Sequence, residues 1–305
     1  MNDSADKYIQ RQGGIEVEEK AQRQIGGILE SWRTLMDDRE GIMAREDSSD
    51  LRGDELRARP LNKARRSPET QLHPLEHVTV PDQADHAIGS FHNLMRAFRH
   101  MVIDDSGEVV LLRLHLTAEF VLIRAMLEAA STALWLLGPD DEKTRVARAL
   151  QLRYDELDHA ANLAKNYAKF SGSVQSSYRQ AQDSFVEGQK ADLQVLAGDA
   201  GIEWSEVKKT LTPSSIANEG GVYLAEIGGP LTYWYWSTAS SLAHGEPANL
   251  RDLSDVSLLG VDHRNRPVAH LEPSAVSIHA HLKVTVDLIN KAHQLWNIRA
   301  RGKRT

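Results

Sequence analysis

The segment from Val109 to Leu137 constrains the fold more than any other part of the chain. Apolar residues occur in it so often that a helix built from it would carry them on most of its faces. Other helices must then cover most sides of it, which predicts an all-α, multi-helix bundle with this segment at its centre. Gly138 and Pro139 follow directly and predict where the central helix ends.

The rest of the chain divides into three parts. Residues 1–37 contain one amphipathic helix and are predicted to form an N-terminal helical arm, whose apolar strip needs a partner surface. Residues 38–82 lose this periodicity and mix prolines with charges of both signs, which predicts a flexible charged linker. Residues 83–305 are predicted to form the helical bundle domain, with a small β-hairpin insertion near 255–272, where two apolar runs flank turn residues.

Composition excludes several classes of function. The chain has no cysteine, so it cannot form disulfides, thiolate zinc sites, iron–sulfur clusters or a cysteine nucleophile. It also lacks the motifs of phosphate-binding loops, dinucleotide-binding folds, serine hydrolases and zinc proteases. We therefore predict no metal and no cofactor.

Location and partners follow from charge and hydropathy. No run approaches the roughly 20 consecutive apolar residues of a membrane span, and the first residues lack the features of a signal peptide, so we expect a cytoplasmic protein without membrane association. The net charge of −7 argues against broad capture of nucleic acid. Two basic stretches, residues 57–66 and 299–304, leave RNA as an alternative partner to a protein or a second copy.

The first candidate site is a charged pair inside the most apolar segment. Arg124 and Glu128 are four residues apart and therefore share one face of the predicted central helix. Charges in such a place must be paired or must line a cavity. The pair can bind an anion and act in acid–base chemistry, or it can belong to a buried structural network with Arg145 or Arg148 of the next helix.

The second candidate site is the end of an aromatic-rich helix. Helical spacing puts Tyr233, Ser240 and His244 on adjoining parts of one face, and Gly245 follows. His244 can be a general base that cleaves RNA, or a buried histidine bonded to a carbonyl beside a left-handed glycine cap. The aromatic run that ends at Trp236 can stack bases, or it can belong to the core or to an oligomer interface.

Two metal-binding patterns occur in incomplete form. Glu156 and His159 match half of a di-iron bundle site, but the chain has no second copy of that spacing. The acidic pairs at residues 37–38 and 140–141 resemble magnesium ligands, yet a helix end or a linker accounts for each of them.

The motifs above carry a resemblance to known proteins. The pattern Arg124-x-x-x-Glu128, followed by Trp135-Leu136-Leu137 and later by a Tyr, Ser and His-Gly helix end, resembles a group of uncharacterised bacterial helical proteins over residues 110–250. That group is similar to the HEPN superfamily, helical bundles that include RNases of toxin–antitoxin and anti-phage systems. The resemblance implies a catalytic arginine followed four to six residues later by a histidine.

Three histidines of the chain are candidates for that signature. Arg153 and His159 match its spacing on a predicted helix, although Tyr154 stands where the family usually has Asn, Asp or His. Arg264 and His270, with Asn265 after the arginine, match the residue types of the signature, but they lie in the predicted hairpin. His244 has Thr238, Ala239 and Ser240 where the arginine should be.

Three functions remain open, and they predict different structures. The leading hypothesis is a helical bundle that acts through protein–protein interaction or self-association, with the polar groups buried and an apolar strip exposed on residues 15–37. The first alternative is an RNA-cleaving toxin or defence nuclease, which predicts that histidine and arginine meet in an open cleft. The second is a ligand sensor with a closed apolar pocket beneath Trp135 and Trp236.

Overall fold

The computed structural model describes residues 3–36, 49–58, 78–104, 111–169 and 174–301. These residues form eleven helices and two small antiparallel strand pairs, which confirms the prediction of an all-α bundle with a small hairpin. The helices are α1 Asp3–Met36, α2 Asp50–Ala58, α3 Val80–Val102, α4 Ala118–Leu137, α5 Glu142–Lys169, α6 Val174–Asp199, α7 Trp204–Val207, α8 Pro213–Gly221, α9 Gly228–Ala243, α10 Pro247–Leu253 and α11 Ala275–Ala300. The strands are β1 Ile103–Asp104, β2 Leu111–Leu112, β3 Asp255–Val261 and β4 Pro267–Glu272.

Helix α4 is the centre of the bundle, and α3, α8, α9 and α11 pack around it. It begins at Ala118 rather than at Val109, because Leu111 and Leu112 pair with β1 instead of continuing the helix. The backbone N–H of His115 bonds to the Glu119 carboxylate at 2.6 Å, whereas a longer helix would direct it to a carbonyl one turn earlier. By length and composition alone α4 could cross a membrane, although 61% of its apolar window is buried in the bundle.

Arginine side chains satisfy backbone carbonyls at the end of α4 and just after it, and two of these arginines are buried. Arg299 of α11 donates to the carbonyls of Leu137 and Gly138 at 2.6 and 3.1 Å. Arg145 of α5 donates to those of Pro139 and Asp140 at 3.0 and 2.8 Å. Helix ends leave such carbonyls without partners inside the helix, so these contacts tie both outer helices to the central one. Arg299 is buried here and does not belong to an exposed basic tail.

Helix α1 packs along α11, and much of the described part of its apolar strip faces the core. Four residues of the strip lie in the main core: Ala21, Ile25, Leu29 and Trp32. Glu18 accepts hydrogen bonds from the Ser274 hydroxyl and the Ala275 backbone N–H, at 3.0 and 2.8 Å, at the start of α11. The strip that sequence analysis left for a partner is thus covered by the last helix of the same chain.

The segment predicted as a flexible linker contains a packed helix. Leu51 of α2 lies in the core, and Asp54 forms a buried ion pair with Arg145 of α5. Both contacts join residues distant in sequence, so local periodicity could not reveal them. Residues 37–48 and 59–77 lie outside the described residues. The acidic pair at 37–38 and most of the first basic stretch fall in them. Residues 302–304 of the second basic stretch also lie outside the described residues.

The hairpin formed by β3 and β4 presents an apolar face to solvent. Val256 pairs with Leu271 and Leu258 with Ala269, and then Leu259 is an extra residue that shifts the register. Because of this bulge, Val261 returns to the face that carries Val256 and Leu258. These three side chains are between 43% and 75% exposed.

Candidate functional site

Helices α4 and α9 bring together residues from both candidate sites. Arg124 Nη1 lies 3.2 Å from His244 Nε2, although the two residues are 120 positions apart in the chain. His244 caps the C-terminal end of α9 and is exposed, while Arg124 is partly exposed on α4. Gly245 has a φ of +69°, as expected for a left-handed cap. The imidazole is therefore open to solvent beside a guanidinium group.

Glu128 holds this arrangement from one side. Its Oε1 atom accepts hydrogen bonds from Arg124 Nε at 3.0 Å and from Trp236 Nε1 at 2.8 Å. Since Glu128 and Arg124 are one turn apart on α4, the carboxylate fixes the guanidinium on the helix face that meets α9. Within the described residues, neither Arg145 nor Arg148 bonds to this pair, so the buried network suggested by the sequence does not form.

The contact with Arg124 bears on the tautomer of His244. A guanidinium group can only donate, so a hydrogen bond between the two groups requires His244 Nε2 to accept, as it does in the tautomer with the proton on Nδ1. Arg124 uses one N–H for Glu128 and one for His244. Three of its five N–H groups then have no hydrogen-bond acceptor among the described residues. These donors, with an imidazole nitrogen that can accept a proton, suit an anionic ligand with a nearby hydroxyl group.

Aromatic rings of α9 flank the charged cluster. The rings of Tyr233 and Trp236 lie nearly parallel, with centroids 6.3 Å apart and an interplanar angle of 28°. The guanidinium carbon of Arg124 is 5.6 Å from the centroid of Trp236. Ser240 lies one turn before His244, and its backbone carbonyl accepts the His244 N–H at 3.0 Å. In the described part of the chain, no side-chain bond links Ser240 to the cluster.

A buried histidine anchors the other side of α9. His281 of α11 bonds through Nδ1 to the Ser277 carbonyl and through Nε2 to the Thr238 hydroxyl, both at 2.8 Å. The ring of Trp234 stacks on it with centroids 6.2 Å apart. Burial lowers the pKa of His281 to about 4. Its neutral form is therefore part of the packing between α9 and α11.

This pKa predicts a loss of stability in acid. A histidine in the unfolded chain titrates near pH 6.5, so below about that pH the unfolded state binds a proton that the native state does not. Between about pH 6.5 and 4, His281 is expected to lower the free energy of unfolding by about 3 kcal/mol. Urea unfolding at several pH values measures this. The variant His281→Leu should lose most of the slope, and an unchanged slope would contradict the assignment.

Arg148 belongs to a different cluster. Its guanidinium carbon lies 4.8 Å from the centroid of Trp135, and its side chain also bonds to Tyr223 and Glu219 at 3.3 and 3.4 Å. Trp135 Nε1 donates to Glu219 at 2.7 Å. Sequence analysis missed Glu219 and Tyr223, because neither has a spacing that connects it to α4 or α5.

The groove beside Trp135 is open and encloses about 540 Å³. It is lined mostly by charged and polar residues, and Trp236 does not line it. It is therefore not the closed apolar pocket beneath Trp135 and Trp236 that the ligand-sensor hypothesis predicts.

Arg153 and His159 do not meet. They share α5 but are six residues apart, so they point to different sides of the helix. Arg153 bonds to Glu156 at 2.9 Å and to Gln189 of α6 at 3.4 Å, while the exposed His159 lies 3.4 Å from Asp155. Arg264 and His270 lie in the turn and in the second strand of the hairpin.

Among the described residues, no group of three or more acidic or histidine side chains could hold a metal ion.

Comparisons with known proteins do not assign this site. No protein-family model matches the chain, and neither the curated proteins nor the solved structures include a significant match. The hypotheses about function therefore depend on the geometry of this chain alone.

Proposed function

We propose that the chain is an RNA-cleaving protein whose active site is the cluster of Arg124, Glu128 and His244. The observation that carries the proposal is the contact of 3.2 Å between the guanidinium of Arg124 and the imidazole of His244, which is exposed. The nuclease hypothesis predicts that histidine and arginine meet in an accessible place, whereas the hypothesis of a structural bundle predicts that these groups are buried. The resemblance to the HEPN superfamily agrees with this chemistry, but this chain departs from the signature of that superfamily, because Arg124 and His244 lie on separate helices.

The residues suggest a division of roles. Arg124 would bind the scissile phosphate through its remaining N–H groups and stabilise the negative charge that develops on it. As it turns towards the phosphate, it releases Nε2 of His244, which takes the proton of the ribose 2′-hydroxyl. The O2′–phosphorus bond forms, the phosphorus–O5′ bond breaks, and the 5′ oxygen takes a proton from solvent. The products are a 2′,3′-cyclic phosphate and a 5′-hydroxyl end, with Glu128 positioning Arg124.

The direct test is cleavage of labelled RNA on a denaturing gel in the presence of EDTA. Wild-type protein is expected to cleave total RNA or tRNA, and His244→Ala is expected to lower the rate by about a hundredfold or more. His159→Ala is the matched control, because His159 is also exposed and lies outside the cluster, 3.4 Å from Asp155. Intact RNA with wild-type protein, or equal cleavage by His244→Ala, would reject the proposal.

A second candidate function is self-association, and the hairpin is the observation that favours it. An isolated two-stranded hairpin is marginally stable in water, and this one exposes Val256, Leu258 and Val261 on one face. The bulge in β3 hinders pairing of its edge with a strand of another copy. Two copies would instead associate by packing their apolar hairpin faces against each other. Sedimentation should show a dimer that Leu258→Asp dissociates, whereas Leu163→Asp, on the exposed surface of α5, should have no effect. A monomer at all concentrations would contradict this function.

A further inference from the structure

Tyr233 lies beside the cluster, and its ring is partly exposed. One side of the ring lies against Trp236, whose Nε1 is held by Glu128, so the position of both rings depends on the same carboxylate that orients Arg124. The side chain of Tyr233 is 46% exposed. In the described part of the chain its hydroxyl forms no hydrogen bond. The ring is thus fixed by stacking and not by a polar contact of its own.

The neighbouring Trp234 is also exposed, at 49%, but it packs against a different group. Its ring stacks on His281 and meets Tyr235 edge to face, with centroids 6.2 and 4.8 Å apart. Trp234 therefore contributes to the packing of α9 on α11. Tyr233, one residue earlier, turns towards the side of α9 where Trp236, Arg124 and the exposed His244 lie.

From this geometry we infer that the substrate is single-stranded RNA, with an unpaired base stacked on Tyr233 and a phosphate bound by Arg124. The inference rests on the proposed function and adds the substrate class. Stacking on an aromatic side chain requires a base whose face is not covered by its neighbours, as in single strands and loops. A double helix would offer Arg124 its phosphates but would give Tyr233 no base. Tyr233 is then a specificity-determining residue that separates single strands from duplexes.

The test measures binding without cleavage. The probe is a fluorescent RNA of about 12 nucleotides with 2′-O-methyl groups on every sugar, used as a single strand and as a duplex, and read by fluorescence anisotropy. Wild-type protein is expected to bind the single strand more tightly than the duplex. Tyr233→Ala should weaken binding of the single strand by about tenfold, and Tyr233→Phe should retain it, because the ring is what stacks. Tyr167→Ala, which removes an exposed ring of α5, should change nothing.

The outcomes separate this inference from the proposed function. Equal binding of both probes by wild-type protein, no binding of either, or an unchanged affinity in Tyr233→Ala would overturn the inference. If the expected pattern appears but RNA with free 2′-hydroxyls is not cleaved, the inference about the ligand holds and the proposal of catalysis fails. If RNA is cleaved and Tyr233→Ala cleaves and binds it normally, the catalytic proposal holds and this inference fails.

Discussion

Replacing Arg145 with Met is expected to lower the free energy of unfolding by about 3–5 kcal/mol, the usual effect of removing one member of a buried ion pair. Arg145 bonds through Nε and Nη2 to the two carboxylate oxygens of Asp54, at 2.7 and 2.8 Å, and both side chains are buried. The same guanidinium also satisfies two carbonyls after α4. The substitution would leave a buried carboxylate without its cation and two carbonyls without their donor.

The effect should depend on pH. Burial raises the pKa of Asp54, and the hydrogen bonds and charge of Arg145 oppose that rise. Without Arg145 the native state would keep a proton on Asp54 at pH values where the unfolded state has lost it. The free energy of unfolding of Arg145→Met should therefore fall as the pH rises above about 4. Urea unfolding of the variant at acid and neutral pH checks the sign.

A double variant separates the ion pair from simple loss of packing. Asp54→Leu combined with Arg145→Met replaces both charges by apolar groups, and it should recover a large part of the lost stability. Arg179→Met is a control, because its contact with Asp183 is an exposed pair on α6, for which we expect a loss below about 1 kcal/mol. If Arg145→Met costs no more than this control, α2 is not held by the ion pair.

Gly220→Ala is the second substitution with a large expected effect. Helix α8 crosses α4 so closely that a Cβ atom on Gly220 would lie 2.4 Å from the backbone carbonyl oxygen of Ser131. Backbone cannot move away as a flexible side chain can, so α8 must shift from α4. We expect a loss of about 3 kcal/mol in the free energy of unfolding, measured by urea denaturation.

The matched control is Gly198→Ala in α6. Nothing lies within 4 Å of a Cβ atom at Gly198, and alanine favours a helix by about 0.5–1 kcal/mol over glycine, so this variant should be as stable as wild type or more so. Because α8 also packs closely on α9, Gly220→Ala should disturb the contact between Arg124 and His244. If RNA is cleaved, the folded variant should be less active. A stable and fully active Gly220→Ala protein would show that neither folding nor activity requires the close crossing of α8 and α4.

Parts of the candidate site could be predicted from local spacing. The pairing of Arg124 with Glu128 follows from their separation of four residues, and the structure shows it at 3.0 Å. The left-handed cap at Gly245 follows from a glycine at a helix end. By contrast, the spacing of Arg153 and His159 matched a family signature, but six residues on one helix do not place two side chains on the same side.

Local patterns predicted the helices of the arm and of the bundle, the end of α4 and the position of the hairpin, because helix and strand periodicity reflect neighbours within a few residues. They did not predict α2, which lies in the segment read as a linker. Only the tertiary structure decided that α11 covers α1, that Asp54 pairs with Arg145, and that Arg148 bonds to Glu219. It also decided that Arg124 meets His244 across 120 positions. Such contacts depend on which helix faces pack together and on how closely glycines such as Gly220 let them approach, and no single segment of sequence records this.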